Sequence, residues 1–285
     1  MIRLIFILLA FSIVTPCVSQ DDSNLRDYFG VKQRRPINDK KGTYYISFGY
    51  NKNWYSKSDI HVHDPNGKFD FVLHDMRAYD RPQVQDIFRV AISIPQYSYR
   101  MGYWLPGSMF GVEINFDHSK YILYNYQTVK LTGQIYGTTY DQDTLVSHHF
   151  LAMEHTDGAN FLMFNFMGRI PLWQKPLLSV FAVGKVGAGI VVPRSDVTLF
   201  GERVNHNFHV AGEVYGIEAG IRTVFLKYLF LETTGKGVFC NFRNVFATGD
   251  AMISHKFWDG MALVTAGFNI PMGNGKMRGK YISNE

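Results

Sequence analysis

Four short clusters in this sequence carry side chains able to do chemistry. Glu154-His155-Thr156-Asp157 sets an imidazole beside a hydroxyl and between two carboxylates, a set that can activate a nucleophile. Asp117-His118-Ser119-Lys120 brings a second imidazole next to a carboxylate. His61 and His63 are two apart, so on a strand they share a face and could co-ligate a metal with Asp64 beside them. His148-His149 invites the same metal reading. Each cluster also has a plainer account. Asp157-Gly158 is a hairpin-turn signal, and His155 and Thr156, being adjacent, point to opposite faces of an extended chain. Asp117 to Lys120 reads equally well as a solvated strand end, and no third metal ligand is identifiable. Gly184, Gly187 and Gly189 do not form a phosphate loop because no helix follows them, and no serine elbow, P-loop or zinc-protease motif occurs. The residues predict no catalytic site, no metal and no cofactor; an enzyme would have to use Glu154, His155, Thr156 and Asp157.

The elements that hold these clusters alternate with period two. Tyr44, Ile46, Phe48 and Tyr50 oppose Thr43, Tyr45, Ser47 and Gly49; Phe110, Val112, Ile114 and Phe116 oppose Gly111, Glu113, Asn115 and Asp117. The same pattern runs through 68–75, 177–192 and 261–270, and further strands fit 92–103, 147–155, 160–170, 207–224 and 228–246. Several runs reach the roughly nine to eleven residues of a membrane-spanning strand, against about five or six in a sandwich. Their polar face carries Lys68, Asp70, Glu113, Asp117, Lys185, Glu218 and Glu232, which a dry sandwich core would not accept unpaired but a barrel lumen can pair. The pattern predicts an all-β antiparallel transmembrane barrel of about ten strands over 43–271, or twelve if 127–136 adds a strand. Counting back from the last strand places 121–146 on the side of the short turns and puts 193–206 and 247–257 on the far side.

Composition agrees. Of 285 residues 46% are hydrophobic, 15% aromatic and only 19% charged, with 26 Gly, and this mix belongs to strands and turns. Mean hydropathy is near zero, which argues against a bundle of spanning helices. Met1 to Ser19 reads as a secretory signal peptide, Gln20 to Gly42 as a polar lead, and 272–285 as a polar tail. Pro16 makes Cys17 a poor lipid-attachment site, so Cys240 is left alone and a disulfide framework is excluded. Removing Arg3 with the signal leaves a formal charge of +4 from +5, and the charges are scattered, which is no nucleic-acid footprint.

Seven pieces then carry a resemblance: Phe48-Gly49-Tyr50-Asn51, Ser56-Lys57-Ser58-Asp59-Ile60-His61, Phe69-Asp70-Phe71, Ile94-Pro95-Gln96, Asp117 to Tyr121, Glu154 to Gly158, and Pro193 to Val197. Across most of the mature chain the sequence resembles a family of uncharacterised outer-membrane β-barrel proteins of Bacteroidetes. The resemblance implies an outer-membrane location in a Gram-negative cell and contact with its lipids, including lipopolysaccharide; it implies no activity and no protein partner. The Glu154–Asp157 turn also loosely resembles the lipid A deacylases, barrels with a His, a Ser and a Glu near the outer leaflet. The reading that follows is a non-enzymatic envelope role as a structural component, narrow pore or adaptor, with an outer-leaflet acyl-ester hydrolase as the rival.

Overall fold

The computed structural model describes residues 41–81, 96–155, 158–175 and 177–272. The predicted signal peptide lies outside them, as do Thr156 and Asp157. In chain order the described strands are β1 (Thr43–Tyr55), β2 (Ser58–His63), β3 (Phe69–Met76), β4 (Ala78–Asp80), β5 (Tyr97–Trp104), β6 (Phe110–Asp117), β7 (Tyr121–Leu123), β8 (Gln127–Ile135) and β9 (Thr138–Val146). They continue as β10 (Leu151–His155), β11 (Ala159–Gln174), β12 (Leu178–Pro193), β13 (Asp196–Leu199), β14 (Glu202–Asn205), β15 (Gly212–Phe225), β16 (Leu229–Phe246) and β17 (Met252–Pro271).

Eight of them close a ring. The order is β1-β5-β6-β11-β12-β15-β16-β17, and β17 returns to β1 in an unbroken antiparallel register from Thr43↔Pro271 to Tyr55↔Asp259. Closure leaves no edge in the ring, the condition a sheet must meet in lipid. Alternation is what makes the ring two-faced. Tyr44, Ile46, Phe48, Phe110, Ile114, Phe164, Phe166, Val264 and Phe268 are exposed on its outside, while Tyr45, Ser47, Glu113, Asn115, Asn165 and Thr265 are buried inside. An apolar belt of that extent is a surface for lipid rather than water. Trp54 and Trp258 stand outward at one end of the belt and Trp173 and Tyr228 toward the other, as interfacial aromatics do. β5 and β6, β11 and β12, and β15 and β16 follow one another closely in the chain at the end that holds Thr43 and Pro271.

At the opposite end the chain builds a second body, the cap. The far end of β17, Met252–His255, stays paired with β16 but runs past β1 and takes β2 as its other neighbour; β3, β8 and β9 follow in order. A separate sheet, β14-β13-β10-β7-β4, packs on this extension. Phe200 meets Phe69 and Phe71 at 5.3 and 6.0 Å, and Phe150 meets Phe71 at 5.8 Å. One apolar core runs from the cap (Ile60, Val62, Leu73, Leu131, Met153, Val197) into the mouth of the ring (Phe161, Val214, Val238, Phe242, Leu263).

The antiparallel barrel is therefore as the alternation predicts, with a difference in where two strands go. Of the ten predicted strands, 68–75 and 147–155 belong to the cap, which leaves eight in the ring. Their pattern is that of ring strands because a half-buried strand alternates whatever covers it. Taking 147–155 out of the ring also reverses the back-count beyond it, so 121–146 lies on the cap side and not among the short turns. Likewise 252–257 continues β17 rather than forming a loop.

Candidate functional site: the barrel lumen and its mouth

Eight ionisable side chains, four of each sign, form an ion-pair network in the middle of the lumen, and a further carboxylate, Asp259 of β17, is buried nearby with Asn53 donating to it at 2.6 Å. Arg100 comes from β5, Glu113 and Asp117 from β6, Lys185 from β12, Glu218 and Arg222 from β15, and Glu232 and Lys236 from β16. Each sits on the inward parity of its strand, which is why the sheet delivers them to one space. Arg100 Nη1 lies 3.1 Å from Glu113 Oε1 and 2.9 Å from Glu218 Oε2. Lys185 Nζ contacts Glu113, Glu218 and Glu232 at 2.9, 3.2 and 2.8 Å. Arg222 Nε donates to Glu232 at 2.5 Å, and Lys236 Nζ to Asp117 at 2.6 Å. Tyr45 donates its hydroxyl to Glu113 at 2.5 Å, and Asn165 bridges Glu113 and Asn115. No side chain of the eight is more than 2% exposed, so the lumen here is packed rather than wet.

Toward the turn end the network rests on aromatic rings. The Arg222 guanidinium stacks 4.2 Å from the centroids of both Tyr45 and Phe230, and Arg169 lies 4.3 Å from that of Trp104. Tyr45, Trp104, Met167, Val224 and Phe230 form one buried cluster across the lumen. Ring faces carry negative charge density, so they hold a desolvated guanidinium that has only one carboxylate.

Five of the seven predicted lumen charges lie in this network: Glu113, Asp117, Lys185, Glu218 and Glu232. Lys68 and Asp70 do not. Lys68 is exposed just before β3, and Asp70 faces outward from it in the cap, where a hydrogen bond from His61 holds its carboxyl below the usual range. The structure adds three cations to those charges, Arg100, Arg222 and Lys236, and parity is the sequence signal for two of them: Arg222 shares the face of Glu218, and Lys236 that of Glu232.

At the mouth, His155 ends β10 fully buried. Its Nδ1 is 2.7 Å from Ser195 Oγ, and its ring stacks on Phe242 at 5.0 Å and lies 5.8 Å from that of His255. Burial among these rings pushes its pKa down to about 3. Glu154 faces away from it and pairs in register with Asp196, so the two residues do not converge on one substrate position. Ser195 is itself 1% exposed, which closes the His–Ser pair to any lipid ester.

The other clusters fall apart similarly. Asp117 to Lys120 is buried, not solvated: Asp117 enters the lumen network, and His118 Nδ1 meets Asn160 Oδ1 at 2.8 Å while stacking on Tyr97. His61 and His63 share an outward face, and both lean on Asp70, at 2.6 and 3.3 Å. Asp64 turns the other way and caps the backbone N–H of Asn66. Among the described residues no group of three His, Cys, Asp or Glu is placed to hold a metal ion.

No protein-family model matches the sequence, and no curated protein matches it either. Among solved structures the chain is similar to the attachment invasion locus protein Ail of Yersinia pestis, at 10% identity and a TM-score of 0.32, covering 81% of this chain and 99% of that one. It is similar to Neisserial surface protein A at 8% identity and TM-score 0.32, over 80% and 96% of the two chains. For the outer membrane protein OprG of Pseudomonas aeruginosa the values are 9% and 0.37, over 81% and 97%.

Proposed function

We propose that this protein is an outer-membrane barrel that anchors a rigid β cap at the cell surface, a structural or adaptor component of the envelope rather than a pore. The observation that carries the reading is the filled lumen: four cations and four carboxylates pair off with no side chain more than 2% exposed, above an aromatic floor. A ring of eight strands is only wide enough for its own side chains. The apolar belt supports insertion, and barrels of this class place short turns in the periplasm, which sets the cap outside the cell. Outer-membrane lipid, lipopolysaccharide included, is then the neighbour of the belt, and the resemblance to the Bacteroidetes barrel family fits the same place. Fractionation of membranes after carbonate extraction tests location; mature chain in the soluble periplasmic fraction would sink it. Planar-bilayer recording tests the rest: the plugged barrel gives no discrete conductance, and stable channels from the wild type would restore the pore reading.

A further inference from the structure

Among the described residues the cap leaves one long sheet edge open, and its chemistry selects what can pair with it. The ring has no edge, and the second sheet ends on β14 and β4, which are four and three residues long. β9 is nine residues long, carries no Pro or bulge, and is the last strand of its sheet among the described residues. It joins β8 through Tyr136-Gly137, both with positive φ (50° and 81°), a tight two-residue hairpin link. That link makes Ile135↔Thr138 a hydrogen-bonded pair. By alternation Tyr140, Gln142, Thr144 and Val146 also bond to β8, and the N–H and C=O of Thr139, Asp141, Asp143 and Leu145 point away from the sheet.

Native sheets usually blunt such an edge by shortening, bulging or covering it. Here the guard is electrostatic. Asp141 and Asp143 share one face, and Asp141 is 71% exposed, with Lys130 of β8 2.8 Å away. Two copies pairing edge to edge about a two-fold axis must set Asp141 against Asp143, or one of them against itself, in every register with substantial overlap. Like charges directly opposed disfavour the pair.

We infer that β9 is a strand-addition site for an extended segment of another protein with basic residues two apart, opposite Asp141 and Asp143. Main-chain hydrogen bonds supply the attraction and the two carboxylates supply the selection against self-pairing. The inference needs only the cap, so it can fail or hold independently of what the lumen does.

The test uses the full mature barrel in detergent micelles and labelled hexapeptides of sequence Thr-Lys-Thr-Lys-Val-Thr and Thr-Glu-Thr-Glu-Val-Thr, read by fluorescence anisotropy. The Lys peptide binds, with Kd roughly tenfold or more below that of the Glu peptide. The double variant Asp141→Lys, Asp143→Lys reverses the order while keeping heat-modifiable migration. Asp141→Pro, which removes an outward N–H and no bond to β8, weakens both peptides. Equal binding of the two peptides, no binding of either, or a Lys peptide indifferent to the double variant would each overturn the inference.

Discussion

The lumen and the cap are both closed β interiors, yet they are filled in opposite ways. The lumen packs eight charges into a space with no side chain more than 2% exposed, whereas the cap packs Phe69, Phe71, Phe150 and Phe200 ring against ring. The difference follows from what lies on the other face. Ring strands turn their apolar side to lipid, so their inward parity is polar and must neutralise itself. Cap strands turn their polar side to water, so their inward parity is apolar. A buried ion-pair set adds little net stability over an apolar filling, but it is intolerant of losing one member. The lumen is thus the brittle region and the cap the forgiving one.

That contrast can be broken most sharply at Glu113, which serves Arg100, Lys185 and Tyr45 together. Glu113→Ala should cost about 3–5 kcal/mol in urea unfolding from micelles, because it leaves the buried set with one uncompensated positive charge and the Tyr45 hydroxyl without its acceptor, although Arg100 and Lys185 keep Glu218. A loss below about 1 kcal/mol would mean that water reaches the network. Next comes the register. Val112 faces outward on β6 and Asn115 inward, so Val112→Arg should cost about 2–4 kcal/mol near mid-membrane. A wet lumen would accept Asn115→Arg freely. The packed one, where Asn115 contacts Asp117 and Asn165, should charge about 1–3 kcal/mol for overpacking.

Gly158 probes the seam between the two regions. It sits at φ +114°, and a Cβ there would collide with the side chain of Asn160 and crowd His118. Gly158→Val should destabilise by about 1–3 kcal/mol, visible as earlier proteolysis of the cap with the ring still heat-modifiable. An unchanged digestion pattern would contradict the packing of that rim.

The pH dependence that His155 confers is absent at neutral pH and appears only as the pH falls. Its pKa falls from 6.5 unfolded to about 3 folded, so the folded state binds fewer protons between those values. Its stability contribution is fully present above pH 6.5 and declines as pH falls toward 3, by at most about 1.4 kcal/mol per pH unit. His155→Phe should flatten that part of the stability profile. An identical slope in the variant would assign the dependence to other groups.

Much of the candidate site was legible before folding, and the reason is parity. Glu113, Asp117, Lys185, Glu218 and Glu232 stand on the polar side of long alternating runs, and a closed ring turns that side inward. Lys68 and Asp70 satisfy the same rule, and only the pairing of β17 with β2 places them in the cap instead. Alternation reports that one face is covered, not by what.

The sequence by itself determined an all-β chain, its strand faces and the buried charges that strands would carry, because period two is a local property of extended backbone. Tertiary structure alone decided that eight strands close, that two alternating segments leave the ring, that Arg100, Arg222 and Lys236 complete a neutral set, and that His155 meets Ser195 out of reach of substrate. Those outcomes depend on which strand hydrogen-bonds to which. Pairing between segments as far apart as Thr43 and Pro271 is a choice among partners that no single stretch of sequence encodes.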